Sequence, residues 1–192
     1  MWIILLLFTF GLCYINYLYS SNHKRSVTLK DRGESSMAFS IIFFIGWICI
    51  TALYAMKKPY SKWENSALLF SMFIVNVNWS WIMVDELKFI TYSNDGLDFS
   101  AYMIDRSVII PFLVVIGINS IPRSQTIIKK VAGILISSLV LIITKMILLK
   151  LGAIHFHGWN FVFSYIYYVL LHSLGYFVLY CYNTLVLKGV RQ

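Results

Sequence analysis

The sequence predicts an all-α fold, a helical bundle of about six transmembrane spans in a single domain over residues 1–192. The first observation behind that prediction is composition. Of 192 residues, 59% are hydrophobic and 12% charged, about half the ~25% charged residues of a soluble domain. The second is continuity, because several uncharged runs approach the ~20 residues needed to cross ~30 Å of hydrocarbon. The third is punctuation: turn chemistry separates the runs at Lys57-Lys58-Pro59, Ser93-Asn94-Asp95-Gly96, Ile121-Pro122-Arg123, and Gly152 with His157-Gly158.

Taken in order, the first span covers residues 1–19. No basic stretch opens this run and no small-x-small site precedes Ser20, so it reads as a retained span rather than a cleaved leader. A polar connector follows over residues 20–36, with His23, Lys24, Arg25, Lys30 and Arg32 against Asp31 and Glu34. It is a solvated connector, a contact for anionic lipid headgroups, or a docking segment for another membrane subunit. The second and third spans are residues 37–56 and 66–88, and the fourth is 99–121. In the fourth, uncharged residues run only from Ser107 to Ile121, too few to cross at ~1.5 Å each. That helix must take in Asp105 and Arg106 or thin the bilayer, and Pro111 one turn on invites a kink. The fifth and sixth spans are residues 131–149 and 159–187.

The net charge of +8 fits lysines and arginines that set topology or meet anionic lipid in a cell membrane, rather than nucleic acid. Basic residues balance between the two topologies until Arg106 and Lys145, which lie within spans, are set aside; the remainder favours both termini inside. Cys13, Cys49 and Cys181 fall far apart in apolar runs and read as small buried hydrophobes, with no metal or disulfide spacing. No cofactor motif is visible: there is no Walker loop, no G-x-S-x-G and no H-E-x-x-H.

Charges inside the spans mark the candidate site. Lys145 interrupts an otherwise apolar run, and an ammonium in hydrocarbon costs roughly 2.5–3.5 kcal/mol. Five of the eight acids, Asp85, Glu86, Asp95, Asp98 and Asp105, fall between residues 85 and 105. The third and fifth loops share a side, because two spans separate them, and Asp85, Asp105 and Lys145 then lie at roughly equal depths of 7–9 Å below it. Asp85, Glu86, Asp105, Arg106 and Lys145 therefore make a polar pocket, or else a set of interfacial charges that snorkel and pair, Lys145 with Asp85 or Asp105 and Glu86 with Arg106.

Deeper polar groups extend the idea. Ser71, Asn78 and Asp85 recur every seven residues on one face, with Asn76 off it. Ser164, Tyr168 and His172 step along one stripe of the last span, with His172 near the midplane. Asn76, Asn78 and His172 either hydrogen-bond between helices or form a polar track toward Lys145 and Asp85. His155 and His157 flank Phe156 without a third metal ligand at fixed spacing, so no metal is expected. The aromatics of the last span pack against neighbours or line an acyl or isoprenoid slot.

Asp105, Pro111 and Asn119 in one span, with His172 in an aromatic-rich final span, resemble small multi-pass membrane proteins of low-GC Gram-positive bacteria. That resemblance implies a fold and no biochemical role. Asn76-Val77-Asn78-Trp79-Ser80 also resembles the N-x-x-W-E element of membrane-integral terpene cyclases, but Ser80 stands where their catalytic Glu belongs, so the activity is not carried over. The sequence thus points to a non-enzymatic subunit, sensor or small transporter. The alternative is a membrane enzyme acting on a lipid or isoprenoid, with Asp85, Glu86 or Asp105 as its acid or base.

Overall fold

The computed structural model describes residues 29–93, 95–122 and 126–189, so the segment 1–19 lies outside the described residues. The chain is mostly helical, and five helices are long and apolar enough to cross a membrane. Helix α1 is Leu29–Ala55. It begins before the connector expected over residues 20–36 has ended. Lysine, arginine and glutamate are good helix formers, and acids near a helix start complement its dipole, so a polar segment extends the helix beyond its apolar part.

Helix α2 spans Lys62–Trp81 and opens on a reciprocal cap. Ser61 N donates to Glu64 Oε2 at 2.7 Å, and Glu64 N donates to Ser61 Oγ at 3.2 Å. The rod continues as a π-helical turn, Ile82–Glu86. Lys88, at φ 53°, then turns the chain into strand β1, Ile90–Tyr92. Helix α3, Gly96–Ile104, is capped by Asp95 and passes into a second π-helical turn, Asp105–Ile109, and then into α4, Ile110–Asn119. The expectation that this span takes in Asp105 and Arg106 is met. Helix α5 is Ile127–Lys150, strand β2 is Ile154–Phe156, and α6 is Phe161–Gly189.

Strands β1 and β2 pair antiparallel, Thr91 opposite His155, so the two loops that were expected to share a side are joined there by backbone hydrogen bonds. His157 N donates to Phe89 O at 2.8 Å and Ser93 N to Ala153 O at 3.1 Å, which extends this ladder at both ends. The continuous Gly96–Asn119 rod is central. Over half of its most apolar window is buried (56%), against 22–33% in the other four long helices. α1 packs on α3, while α2, α5 and α6 surround α4. The interior falls into two apolar clusters. One, near the ladder, includes Ile42, Tyr102, Ile109 and Leu148; the other includes Leu68, Val114, Leu141 and Leu171.

Gly117 lies at a close approach of α4, α5 and α6. A Cβ there would overlap Ser137 and stand 3.0 Å from His172 Nε2. Toward the end remote from the ladder, Asn119 Nδ2 donates to Asn65 Oδ1 at 2.6 Å and ties α4 to α2.

Candidate functional site

Lys145 and Asp105 meet inside the bundle. Lys145 Nζ donates to Asp105 Oδ2 at 3.3 Å, with the two residues 6% and 0% exposed. Chain direction explains the meeting. α5 runs toward the ladder, and helical side chains lean back toward their helix N-terminus, so Lys145 reaches inward rather than snorkelling out. α3 starts beside the ladder, so Asp105 leans toward it and the two groups close on each other. The junction falls between the two apolar clusters, which supply no competing polar partner.

The other charges do not join them. Asp85 and Glu86 are exposed, and among the described residues neither lies within ion-pair distance of a cation. The expected pairs Lys145–Asp85 and Glu86–Arg106 are therefore absent. Asp85 and Glu86 close the π turn on its outward side, whereas Asp105 sits on the buried side of the central rod. The equal depth expected for the three charges also fails for the helix bounds: Asp105 is nine residues from Gly96, and Lys145 five from Lys150. Arg106 is half-buried, its guanidinium 5.7 Å from the Tyr102 ring centre, while Lys145 Nζ is 5.4 Å from the same centre. Tyr92, in the ladder, feels both outlying charges. Burial pushes its phenol up, Asp85 and Tyr102 add to that, and Arg106 opposes it.

Of the two asparagines in α2, Asn76 is the interior one. It is 1% exposed, donates through Nδ2 to the carbonyl of Arg106, and accepts from Tyr167 Oη at 2.8 Å. The Arg106 carbonyl needs that partner. In the π turn the Ile110 N–H bonds Asp105 O, and the next residue, Pro111, has no N–H to give. Asn78 points outward and bonds Ile74 O on its own helix at 2.8 Å. The face shared by Ser71, Asn78 and Asp85 is thus the outward one, and Asn76 takes the place expected for Asn78.

His172, 0% exposed, joins α6 to α5. Its Nδ1 is 2.8 Å from Tyr168 O and its Nε2 is 2.8 Å from Ser137 Oγ, with Ser138 Oγ 3.5 Å from Nδ1. The carbonyl can only accept, so Nδ1 carries the proton and Nε2 accepts from Ser137. Ser164, Tyr168 and His172 do form one buried stripe. Both nitrogens of His172 are occupied within the fold, which makes this residue an interhelical tie.

Beside the ion pair lies a cavity of about 30 Å³, room for about one water. Asn76, Ser80, Tyr102, Lys145, Tyr167 and Tyr168 line it together with Trp79 and Trp159. Trp79 stacks on Tyr167 at 4.7 Å between ring centres, so the middle aromatics of the last span pack against neighbours here. Tyr102 was not singled out from the sequence. Its signal was spacing: it precedes Asp105 by three residues and therefore shares its helix face.

His155 is exposed, and His157 Nδ1 lies 3.2 Å from Thr91 Oγ1 across the ladder. Among the described residues no three His, Cys, Asp or Glu side chains come together as a metal site would need. No protein-family model, curated protein or solved structure matches this chain.

Proposed function

We propose that this chain is an integral protein of the cell membrane with six spans, counting the apolar segment 1–19. In this reading it works without catalysis, as a subunit, sensor or small transporter built around the Lys145–Asp105 pocket. The observation that carries the proposal is a buried ion pair beside a water-sized polar cavity. Buried ion pairs stabilise folds weakly, and ionisable groups within membrane spans mark functional sites by default. The exterior supports the membrane placement: Phe44, Trp47, Phe70, Ile136, Leu170 and Phe177 all stand exposed, an apolar surface suited to lipid. The bilayer is then its principal partner, with anionic headgroups or another membrane subunit meeting its basic ends.

No observation favours an enzyme acting on a lipid or isoprenoid. The polar cavity holds about one water. The broader groove along Phe44, Trp47, Ile48, Thr51, Ala52 and Ala55 contains no acid or base.

Transport is the role most directly tested. Purified protein in vesicles with an entrapped reporter dye would be exposed to proton, sodium and chloride gradients in turn. Flux in the wild type that disappears in Lys145→Leu, with the variant still recovered as a monodisperse species, is the expected result. Absence of flux under every gradient, with an unchanged phenotype for Lys145→Leu in cells, removes the pocket from any function.

A further inference from the structure

The wall of the cavity has a chemical bias that the ion pair alone does not require. An ammonium carries three donors, and Lys145 gives one to Asp105 Oδ2. Asp105 is absent from the cavity wall, so no carboxylate oxygen faces the space that Lys145 borders. Tyr102 and Tyr168 do face it. Each is 2% exposed, and among the described residues neither hydroxyl makes a hydrogen bond. Asn76 adds an amide proton, since its Nδ2 carries two and one goes to Arg106 O. The residues around the space thus include an ammonium, two phenols without hydrogen bonds and an amide, set among the apolar Met83, Ile90 and Ile110.

We infer that this cavity is a binding site for one monatomic anion of halide size, held by Lys145 Nζ with the Tyr102 and Tyr168 hydroxyls. The inference rests on reading the pocket as an ion site, but not on transport. Volume favours a small occupant: about 30 Å³ suits a group near the size of a water better than phosphate or sulfate. A cation is disfavoured because the ammonium borders the space and the carboxylate does not.

Charge balance adds a second element. Lys145 and Asp105 together are neutral, so an anion beside them leaves one net negative charge in an apolar interior, a costly state. Asp105 Oδ1 is buried and has no hydrogen-bond partner among the described residues. A proton taken up there from solvent cancels the added charge: one O–H bond forms on the carboxylate and the anion remains unchanged. The charged and titratable groups around Asp105 are Lys145 from α5, Tyr168 from α6, Cys49 from α1, and Tyr102 and Arg106 on its own rod. The carboxylate is the acidic member of that set. Halide and proton therefore enter together.

The test is calorimetric titration of the purified full chain in detergent with sodium chloride and sodium bromide, using sodium gluconate as the control. The expected result is saturable halide binding that tightens by up to about tenfold for each unit fall in pH. Tyr168→Phe, which keeps the ring, should weaken binding by about tenfold or more, the loss of one hydrogen bond to a charged ligand. Asp105→Asn should retain binding and lose its pH dependence. Heats for chloride indistinguishable from gluconate would show a site for water alone and overturn the inference. Equal affinity in the wild type and Tyr168→Phe would overturn it too, and pH-independent binding in the wild type would remove the proton. Halide binding without flux in vesicles sinks transport and leaves this site standing. Flux without halide binding does the reverse.

Discussion

The Lys145–Asp105 pair couples two large opposing costs. Each ion is several kcal/mol worse off away from water, and the two offset that only while together. Removing one partner leaves the other charged, buried and alone, since Asp105 has no second cation and Lys145 no second acid among the described residues. Lys145→Leu and Asp105→Leu should therefore each lower unfolding stability by about 3–5 kcal/mol, whereas the double variant should regain most of that loss. Denaturant unfolding of the four proteins in micelles gives the coupling directly. Additive losses would mean that the two residues do not depend on one another. The pair is legible in the sequence because a charge in an apolar run must find a partner. Which acid it finds was not readable. Depth counted in residues put Asp85 and Asp105 level, yet burial separates them: one is exposed and the other is fully enclosed. Asn76 and Asn78 fail in the same way. Residues two apart on a helix point to nearly opposite sides, so only one could face inward, and a seven-residue spacing says nothing about which.

The central rod explains why Asn76 was the one. Proline at position 111 withdraws a donor from the preceding turn, and the chain answers with a π-helical turn rather than an open kink. That turn leaves the Arg106 carbonyl facing α2, where Asn76 meets it and also receives the Tyr167 hydroxyl from α6. One amide thus links three rods at the level of the pocket. Pro111 was visible in the sequence as a source of distortion, but the form of the distortion depends on whether a neighbouring helix can satisfy the freed carbonyl. The dependence can be measured. Asn76→Leu leaves a carbonyl and a hydroxyl unsatisfied, at about 1–3 kcal/mol each. In a Pro111→Ala background the new N–H at position 111 can serve that carbonyl within the rod. The cost of Asn76→Leu should then fall by about 1 kcal/mol or more. If unfolding shows the same cost in both backgrounds, Pro111 is not the reason for the asparagine.

The distribution of charge along the bundle assigns it a direction. Strand pairing fixes Glu86 and His155 at one end, and the alternation of helices puts Lys58 and Ile127 at the other. The ladder end carries Asp85, Glu86 and Asp95 together with two lysines, Lys88 and Lys150. The opposite end carries Lys57 and Lys58 before α2, Lys62 as its first residue, and Lys129 and Lys130 in the first turn of α5. Basic residues beside short loops stay on the cytoplasmic side, and acids contribute little, so the lysine-rich end is predicted to face the cytoplasm. The strand ladder then faces outward, with the cavity beside Lys145 nearer to that side. Single cysteines placed at Lys58, Glu86 and His155, in a chain whose native cysteines are replaced by alanine, test this in intact cells. A membrane-impermeant maleimide should label Glu86→Cys and His155→Cys, and should reach Lys58→Cys only after the membrane is permeabilised. Labelling of Lys58→Cys alone would invert the orientation and keep the bundle. Labelling of all three in intact cells would contradict a membrane-spanning arrangement, because the helices that separate these sites are what makes their two ends distinguishable.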